Sequence, residues 1–253
     1  MKRSRISIAA AFALALGAIL IEGAPLSALP APEDVLARLD ANLSFSSIRY
    51  VGRMEITARG QTRVKTMRAV ALGSEKAFVE FTNPEDRGVR YLKLGKKLWM
   101  YFPKDQETVP IAGHLLKGGM MGSDLSYEDA LESEDLLSKY SAKVLREEEE
   151  GGRKSLVLEL VSTSANAPYD RILLWADEER WITLKEEMYA KSGKLLKTRV
   201  TLESKRIGQR WFPLRSEIAS AIVKGSKTTL VMEEVELDPK IEDGQFTMAA
   251  LTR

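Results

Sequence analysis

From Ser47 to Leu237 apolar and polar residues alternate with a period of two, and turn-forming residues break the pattern about every ten positions. This alternation narrows the fold more than any other property of the chain. Successive side chains of a strand point to opposite faces, so such a pattern suits a sheet with one dry side and one wet side. In the first repeat Ile48, Tyr50, Gly52, Met54, Ile56 and Ala58 alternate with Arg49, Val51, Arg53, Glu55 and Thr57. Arg59-Gly60-Gln61 turns the chain into Thr62–Leu72, and Gly73-Ser74 leads into Ala77–Phe81. Asn83-Pro84-Glu85-Asp86 is a strong turn signal ahead of a hairpin, Gly88–Leu94 and Leu98–Phe102, and prolines at Pro103 and Pro110 bound a short edge-like strand. Further extended runs come at Tyr140–Arg146, Lys154–Ser162, Arg171–Ala176, Trp181–Ala190, Leu195–Ile207, Arg210–Ala221 and Thr228–Leu237. The pattern predicts a mainly β chain of about eleven antiparallel strands, with two or three helical pieces.

The clearest helix precedes the strands. Pro32 suits a first helical turn, Glu33 and Asp34 favour its N-terminal end, and Val35, Leu36, Leu39 and Leu43 form one apolar stripe, which together predict a helix over Glu33–Leu43. A stripe that narrow has to be buried, either by packing on a sheet or by plugging a barrel.

The central hairpin and the segment after it hold the most distinctive residues. With Gly95-Lys96-Lys97 as a three-residue loop, Leu94 and Leu98 pair, and Leu92, Leu94, Leu98, Met100 and Phe102 share one wholly apolar face. The other face carries Tyr91, Lys93, Trp99 and Tyr101. Beyond the hairpin, Gly113 to Gly122 reads as a flexible, methionine-bearing loop. Ser126 then offers a helix N-cap with Asp129 three positions on, an approximate capping box using Asp in place of Glu or Gln. Leu156, Leu158 and Leu160 share a strand face, as do Ile172 and Leu174.

Three segments here, Pro84-x-x-x-Gly88, Leu98-Trp99-x-Tyr101-x-Pro103 and Met121-Gly122-Ser123-Asp124-x-Ser126-Tyr127-Glu128-Asp129, resemble in order and spacing the outer membrane lipoprotein-sorting family, relatives of the lipoprotein carriers LolA and LolB. The resemblance implies a half-closed antiparallel β-barrel with a few helices plugging its mouth and a hydrophobic cavity that holds acyl chains. On that reading Leu92, Leu94, Leu98, Met100, Phe102, Leu156, Leu158, Leu160, Ile172 and Leu174 line the cavity. The loop Gly113–Gly122 is a gate, with Met121, Gly122, Ser123, Asp124 and Tyr127 as its motif. The implied partners are lipoprotein acyl chains or another lipid, and an inner-membrane transporter of the ABC or resistance-nodulation type that delivers them. One departure from the family stands out. The stretch after the Trp-x-Tyr-x-Pro motif is commonly rich in arginine, whereas here it is Lys104-Asp105-Gln106-Glu107.

The ends of the chain fit export. Lys2, Arg3 and Arg5 precede an uncharged run from Ile6 to Ile21, short for a membrane-spanning helix and suited to a secretory signal, with Ala24 and Ala28 as cleavage points. We expect residues 1–28 to be a signal peptide, residues 29–253 to be one domain, and the protein to reside in the periplasm. Removing that segment takes away three basic residues and Glu22, which leaves the remainder without net charge. Nucleic-acid binders carry an excess of Lys and Arg, so nucleic acid is not an expected partner. There is no cysteine, hence neither a disulfide framework nor a lipid-attachment site.

The catalytic inventory is poor. His114 is the only histidine, no GxSxG elbow accompanies it, and neither a phosphate-cradling glycine loop nor a dinucleotide fingerprint occurs. Without cysteine and with one histidine, an ordinary zinc site is not expected. Glu147-Glu148-Glu149-Glu150 lacks the alternating oxygen spacing of a calcium loop and reads as a solvated hairpin tip. Asp124, Glu128 and Asp129 could supply paired carboxylates for work on a glycoside, but Asp129 already has a capping role. The expectation is a carrier without enzymatic activity or cofactor. The rival is an accessory protein docking on a transporter through Trp99 and Tyr101, its interior filled by its own side chains.

Overall fold

A computed structural model describes residues 29–131, 136–165 and 167–253. The expected signal peptide at 1–28 lies outside the described residues. Thirteen strands form one antiparallel sheet: β1 (Ser47–Ala58), β2 (Gln61–Leu72), β3 (Lys76–Phe81), β4 (Arg90–Leu94), β5 (Lys97–Phe102), β6 (Glu107–Ile111), β7 (Tyr140–Glu150), β8 (Arg153–Ser162), β9 (Arg171–Asp177), β10 (Thr183–Tyr189), β11 (Leu195–Ile207), β12 (Arg210–Ser220) and β13 (Lys227–Leu237). Their order is β6-β5-β4-β3-β2-β1-β13-β12-β11-β10-β9-β8-β7. Two meanders are thus sewn together where the first strand pairs with the last, Met54 opposite Leu230 and Ile56 opposite Thr228.

The expected half-closed antiparallel barrel forms as a single sheet left open, because β6 and β7 stand at its two ends without pairing to each other. The expected count of about eleven strands falls short of the thirteen present. Each of the thirteen answers to an extended run named from the sequence, so the segments are found and the tally alone is short.

Helix α1 (Pro32–Leu43) buries Val35, Leu36 and Leu39. Leu43, assigned to the same stripe, is instead 47 % exposed at the helix end. Asn42 fastens that end, its Nδ2 donating to the carbonyls of Arg180 and Trp181 at 2.8 and 2.7 Å while its Oδ1 accepts from the Trp211 amide at 2.9 Å. Two more short α-helices lie among the described residues, α2 (Tyr127–Leu131) and α3 (Met248–Thr252).

Apolar side chains gather into three clusters. One unites α1 with the inner residues of β7–β10: Val35, Leu36, Leu39, Leu156, Leu158, Leu160, Ile172, Leu174 and Met188. The second sits inside the curve of β1–β6 and includes Met54, Ile56, Met67, Phe81, Tyr91, Leu98, Met100 and Met120. The third lies on the opposite side of β3–β5, where Phe246 and Leu251 cover Leu92 and Tyr101.

The central hairpin requires a correction. Leu94 pairs with Lys97 and Leu92 with Trp99, so the turn has two residues, Gly95-Lys96, with Gly95 at φ 55°. A slip of one residue exchanges the faces of one strand relative to the other. Tyr91, Leu98, Met100 and Phe102 therefore face inward together, while Leu92 and Leu94 join Trp99 and Tyr101 under the C-terminal segment.

Candidate functional site

The loop assigned as a gate fills the concavity of β1–β6. Met120 is buried in the second cluster, with Met121, Leu125, Tyr127, Ala130 and Leu131 packed against it. Its backbone is fastened: the Met120 amide donates to Leu125 O at 2.8 Å and the Tyr127 amide to Gly118 O at 3.0 Å. A Cβ on Gly119 would lie 2.0 Å from the Ser123 carbonyl oxygen, so that glycine permits a close approach of two chain segments rather than movement. Met121 and Gly122 both hold positive φ, 53° and 76°, in the tight turn between.

This arrangement explains why the hairpin motif and the loop motif occur together. The Tyr91 hydroxyl lies 3.2 Å from the Tyr127 hydroxyl and 3.2 Å from Met121 Sδ, and Tyr127 OH points to Met100 Sδ at 3.9 Å. Burial, with the Tyr127 hydrogen bond and charge interactions added, pushes the Tyr91 hydroxyl well above the ordinary tyrosine range. Asp124 receives hydrogen bonds from Ser226 Oγ at 2.7 Å and Thr228 Oγ1 at 2.9 Å, and its own amide donates to Thr228 Oγ1. Buried Ser123 sits within hydrogen-bond distance of both the Leu125 amide and its carbonyl, at 3.3 Å. The motif residues tie a plug to the sheet.

The capping box forms as its spacing predicts. The Ser126 amide donates to Asp129 Oδ2 at 3.0 Å, and the Asp129 amide to Ser126 Oγ at 3.1 Å. The same carboxylate reaches across the sheet, taking a hydrogen bond from Tyr169 OH at 2.6 Å and an ion pair with Lys197 Nζ at 2.7 Å. Its side chain is only 4 % exposed. Burial alone would raise the Asp129 pKa, but the Lys197 charge and the hydrogen bonds of Lys197, Tyr169 and Ser126 outweigh it and hold the carboxyl below the usual range.

On the other half of the concave face, under α1, the interior is open. A recess of about 720 Å³ is lined by α1 (Leu36, Leu39, Leu43), the turn after it (Ser44, Phe45), Leu136, Pro168, Tyr169, Ile172, Leu174 and Met188. A second chamber of about 260 Å³ adjoins it, walled by Leu125, Leu184, Ile218, Leu230 and Met232. The two share Leu39, Leu43, Thr183, Glu186 and Arg199. Arg199 Nη1 donates to Glu186 Oε2 at 2.9 Å. The Glu186 charge, aided by Asp129 and Tyr169 and opposed by desolvation, raises the guanidinium pKa further above its ordinary value. The recess has greasy walls and a polar strip of Asp129, Glu186 and Arg199, with Lys197 paired to Asp129 and with Asp40 elsewhere on the lining.

Of the ten residues expected to line a cavity, Ile172 and Leu174 do so. Leu156, Leu158 and Leu160 are brought into the same cluster, where β8 pairs Leu158 with Leu174 and Leu160 with Ile172, but they are wholly packed. Leu98, Met100 and Phe102 meet the plug instead, and Leu92 and Leu94 lie on the far face. The surface of Trp99 and Tyr101 invoked for docking is covered by the C-terminal segment, with Tyr101 only 7 % exposed. Glu186, Arg199 and Met188 were missed. In the sequence the two charges sit among charged neighbours on β10 and β11, and nothing in an alternating pattern says which charges face inward. The run Glu147–Glu150 belongs to β7, and Glu148 is held there by Arg146 and the Trp175 indole.

Comparisons with known proteins agree with this geometry. A family model described only as an uncharacterized protein matches residues 73–253. No curated protein matches the sequence. Among solved structures, a domain named for outer membrane lipoprotein sorting from Vibrio parahaemolyticus superposes with a TM-score of 0.78 at 23% identity, over 87% of this chain and 97% of that one. A DUF1329 family protein from Desulfovibrio piger gives 0.80 at 22% identity, over 86% and 96%. A LolA superfamily protein from Nitrosomonas europaea gives 0.72 at 22% identity, over 88% and 100%. At these identities the likeness is one of fold, and it is the lipoprotein-sorting fold.

Proposed function

We propose, from the premise that this chain belongs to the uncharacterized family matched over residues 73–253 and has the lipoprotein-sorting fold, that it is a periplasmic carrier holding the acyl chains of a lipoprotein or another lipid under α1. The observation that carries this reading is the open recess of about 720 Å³ with Leu36, Leu39, Ile172, Leu174 and Met188 in its walls. Sites for small ligands commonly span roughly 300–1,000 Å³. An acyl chain held there is kept from water at ~0.8 kcal/mol per methylene, the force that makes unaided transfer through an aqueous compartment slow. The polar strip serves the other end of such a molecule. Partly exposed ion pairs contribute little net stability, and the Arg199 and Glu186 side chains are 35 % and 14 % exposed, so the two are better accounted for by what they meet than by what they hold up.

Delivery by an inner-membrane transporter of the ABC or resistance-nodulation type, and export by cleavage within residues 1–28, belong to the same proposal. The test is direct. Protein purified from the periplasm is extracted into organic solvent and analysed by mass spectrometry, and its binding of a fluorescent fatty acid is titrated. Co-purifying lipid and saturable binding are expected. Protein that is consistently empty and fails to bind the probe overturns the carrier reading.

A further inference from the structure

Three neighbouring hairpin tips stand side by side on one rim of the sheet. These are the β1–β2 tip, the β12–β13 tip and the β10–β11 tip, adjacent because Thr57 pairs with both Thr62 and Lys227, and because the Ala221 amide donates to Leu196 O at 2.9 Å. They present Arg59, Lys191, Lys194 and Lys224, all exposed, while Lys227 at the base of the β12–β13 tip is paired with Glu217 at 2.8 Å; the tips themselves contain no acidic residue. The acidic residues of the same rim, Glu85, Asp86, Asp105 and Asp170, lie outside this stretch, beyond β2 and beyond β10. The opposite rim carries both signs, Glu75, Glu150, Glu179 and Asp238 together with Lys96, Arg153, Arg180 and Arg210.

Among these basic residues the β12–β13 tip holds Ile222 and Val223 out in solvent, 50 % and 55 % exposed. Their display is built rather than accidental. The Ile222 and Val223 amides both donate to Ser220 Oγ, at 3.2 and 2.9 Å, the Ser226 amide donates to Val223 O at 3.1 Å, and Gly225 takes φ 75° to close the turn. From the base of the same tip, Ser226 Oγ holds Asp124 of the plug.

We infer that this rim docks on a bilayer bearing anionic headgroups, with Ile222 and Val223 entering the headgroup boundary and the four basic side chains of Arg59, Lys191, Lys194 and Lys224 spread around them. Aliphatic residues ringed by Lys and Arg are the arrangement that interfacial membrane contacts use. A protein partner is less well matched: interface anchors are characteristically Trp, Tyr and Arg in a preformed pocket, whereas these tips are convex and carry no aromatic anchor. No helix among the described residues is long and apolar enough to span a membrane. The inference does not depend on the recess holding lipid.

Flotation of the exported chain with vesicles of phosphatidylglycerol and phosphatidylethanolamine, against vesicles of phosphatidylcholine alone, tests it. Binding to the anionic vesicles that weakens with added salt is expected. Each basic residue near an anionic surface strengthens binding roughly fivefold, so Lys191→Gln/Lys194→Gln/Lys224→Gln should weaken it about a hundredfold. Ile222→Ser/Val223→Ser should weaken it at least severalfold at all salt concentrations. In both variants the unfolding midpoint and the affinity for a fluorescent fatty acid should stay unchanged, which separates loss of docking from loss of fold or of cargo. Equal binding to both kinds of vesicle overturns the inference, as does binding that neither variant alters. Attachment to native membranes that protease treatment of those membranes abolishes, without binding to the pure lipid vesicles, would assign the rim to a protein.

Discussion

The two halves of the concave face are built from the same kind of strand and end differently. Inside β1–β6 the residues 113–131 fold back, and Met120, Met121, Leu125 and Tyr127 occupy the space that Met54, Phe81, Tyr91 and Met100 enclose. Inside β8–β12 α1 crosses and leaves the recess of about 720 Å³ and its smaller neighbour. The lesson is that a curled sheet does not make a cavity by itself. What decides is how much of the chain returns to fill the curve, and here that is settled separately for each half.

If this contrast is right, truncations should cost stability in the filled half and ligand affinity in the open one. The largest effect is expected at Phe81, which is fully buried and packs edge-on against Tyr91 with ring centroids 5.9 Å apart. Phe81→Ala should destabilise by about 3–5 kcal/mol in urea unfolding, the usual cost of removing a buried aromatic ring. Lipid affinity of the folded fraction should hold. A loss of affinity without a loss of stability would place the site in the half assigned as packed.

Next comes Asp129, which joins the halves. Asp129→Asn removes the charge that Lys197 faces and should cost about 1–3 kcal/mol at neutral pH, the penalty for a polar partner left unmatched. The sign of its pH dependence is fixed by the lowered pKa. A carboxyl held below its unfolded value of 3.8 contributes fully above that value and loses its contribution as pH falls through the folded pKa. The same holds for Asp86 beside Lys65 and Asp177 beside Arg153. Unfolding midpoints should therefore drop below about pH 4, and the drop should be shallower in Asp129→Asn, since one of the linked carboxyls is gone.

Much of this was legible beforehand. Period-two alternation gave every strand that formed a recognisable segment, and the Ser126–Asp129 spacing foretold a capping box that forms with both hydrogen bonds. The misreadings have specific causes. Gly95-Lys96-Lys97 reads equally well as a two- or three-residue turn, and that single residue moved Leu92 and Leu94 to the far face. The glycines at 118, 119 and 122 suggested freedom, whereas Gly119 is required by a carbonyl and Gly122 by a positive φ. The recess was legible only in part, Ile172 and Leu174 being expected in a cavity wall, because the rest of its lining, Leu36, Leu39, Met188 and Arg199, comes from residues far apart in sequence.

The smallest effect on stability should come with a clear effect on binding, at Leu43. It lines both chambers yet is 47 % exposed, so its side chain contributes little to the packed core. Leu43→Trp adds bulk where there is room, at the C-terminal end of α1, which Asn42 already anchors. Substitutions at sites of this kind usually change stability by no more than about 0.5 kcal/mol. The indole should nonetheless compete with an acyl chain for the junction of the two chambers and weaken fluorescent fatty-acid binding about tenfold, equivalent to ~1.4 kcal/mol. Leu98→Ala, in the filled half, provides the opposite case: a cavity cost of roughly 2–5 kcal/mol with affinity retained. Should Leu43→Trp bind the probe as well as the parent while Leu98→Ala does not, the open and filled halves have been assigned the wrong way round, and the plug rather than α1 is what the ligand displaces.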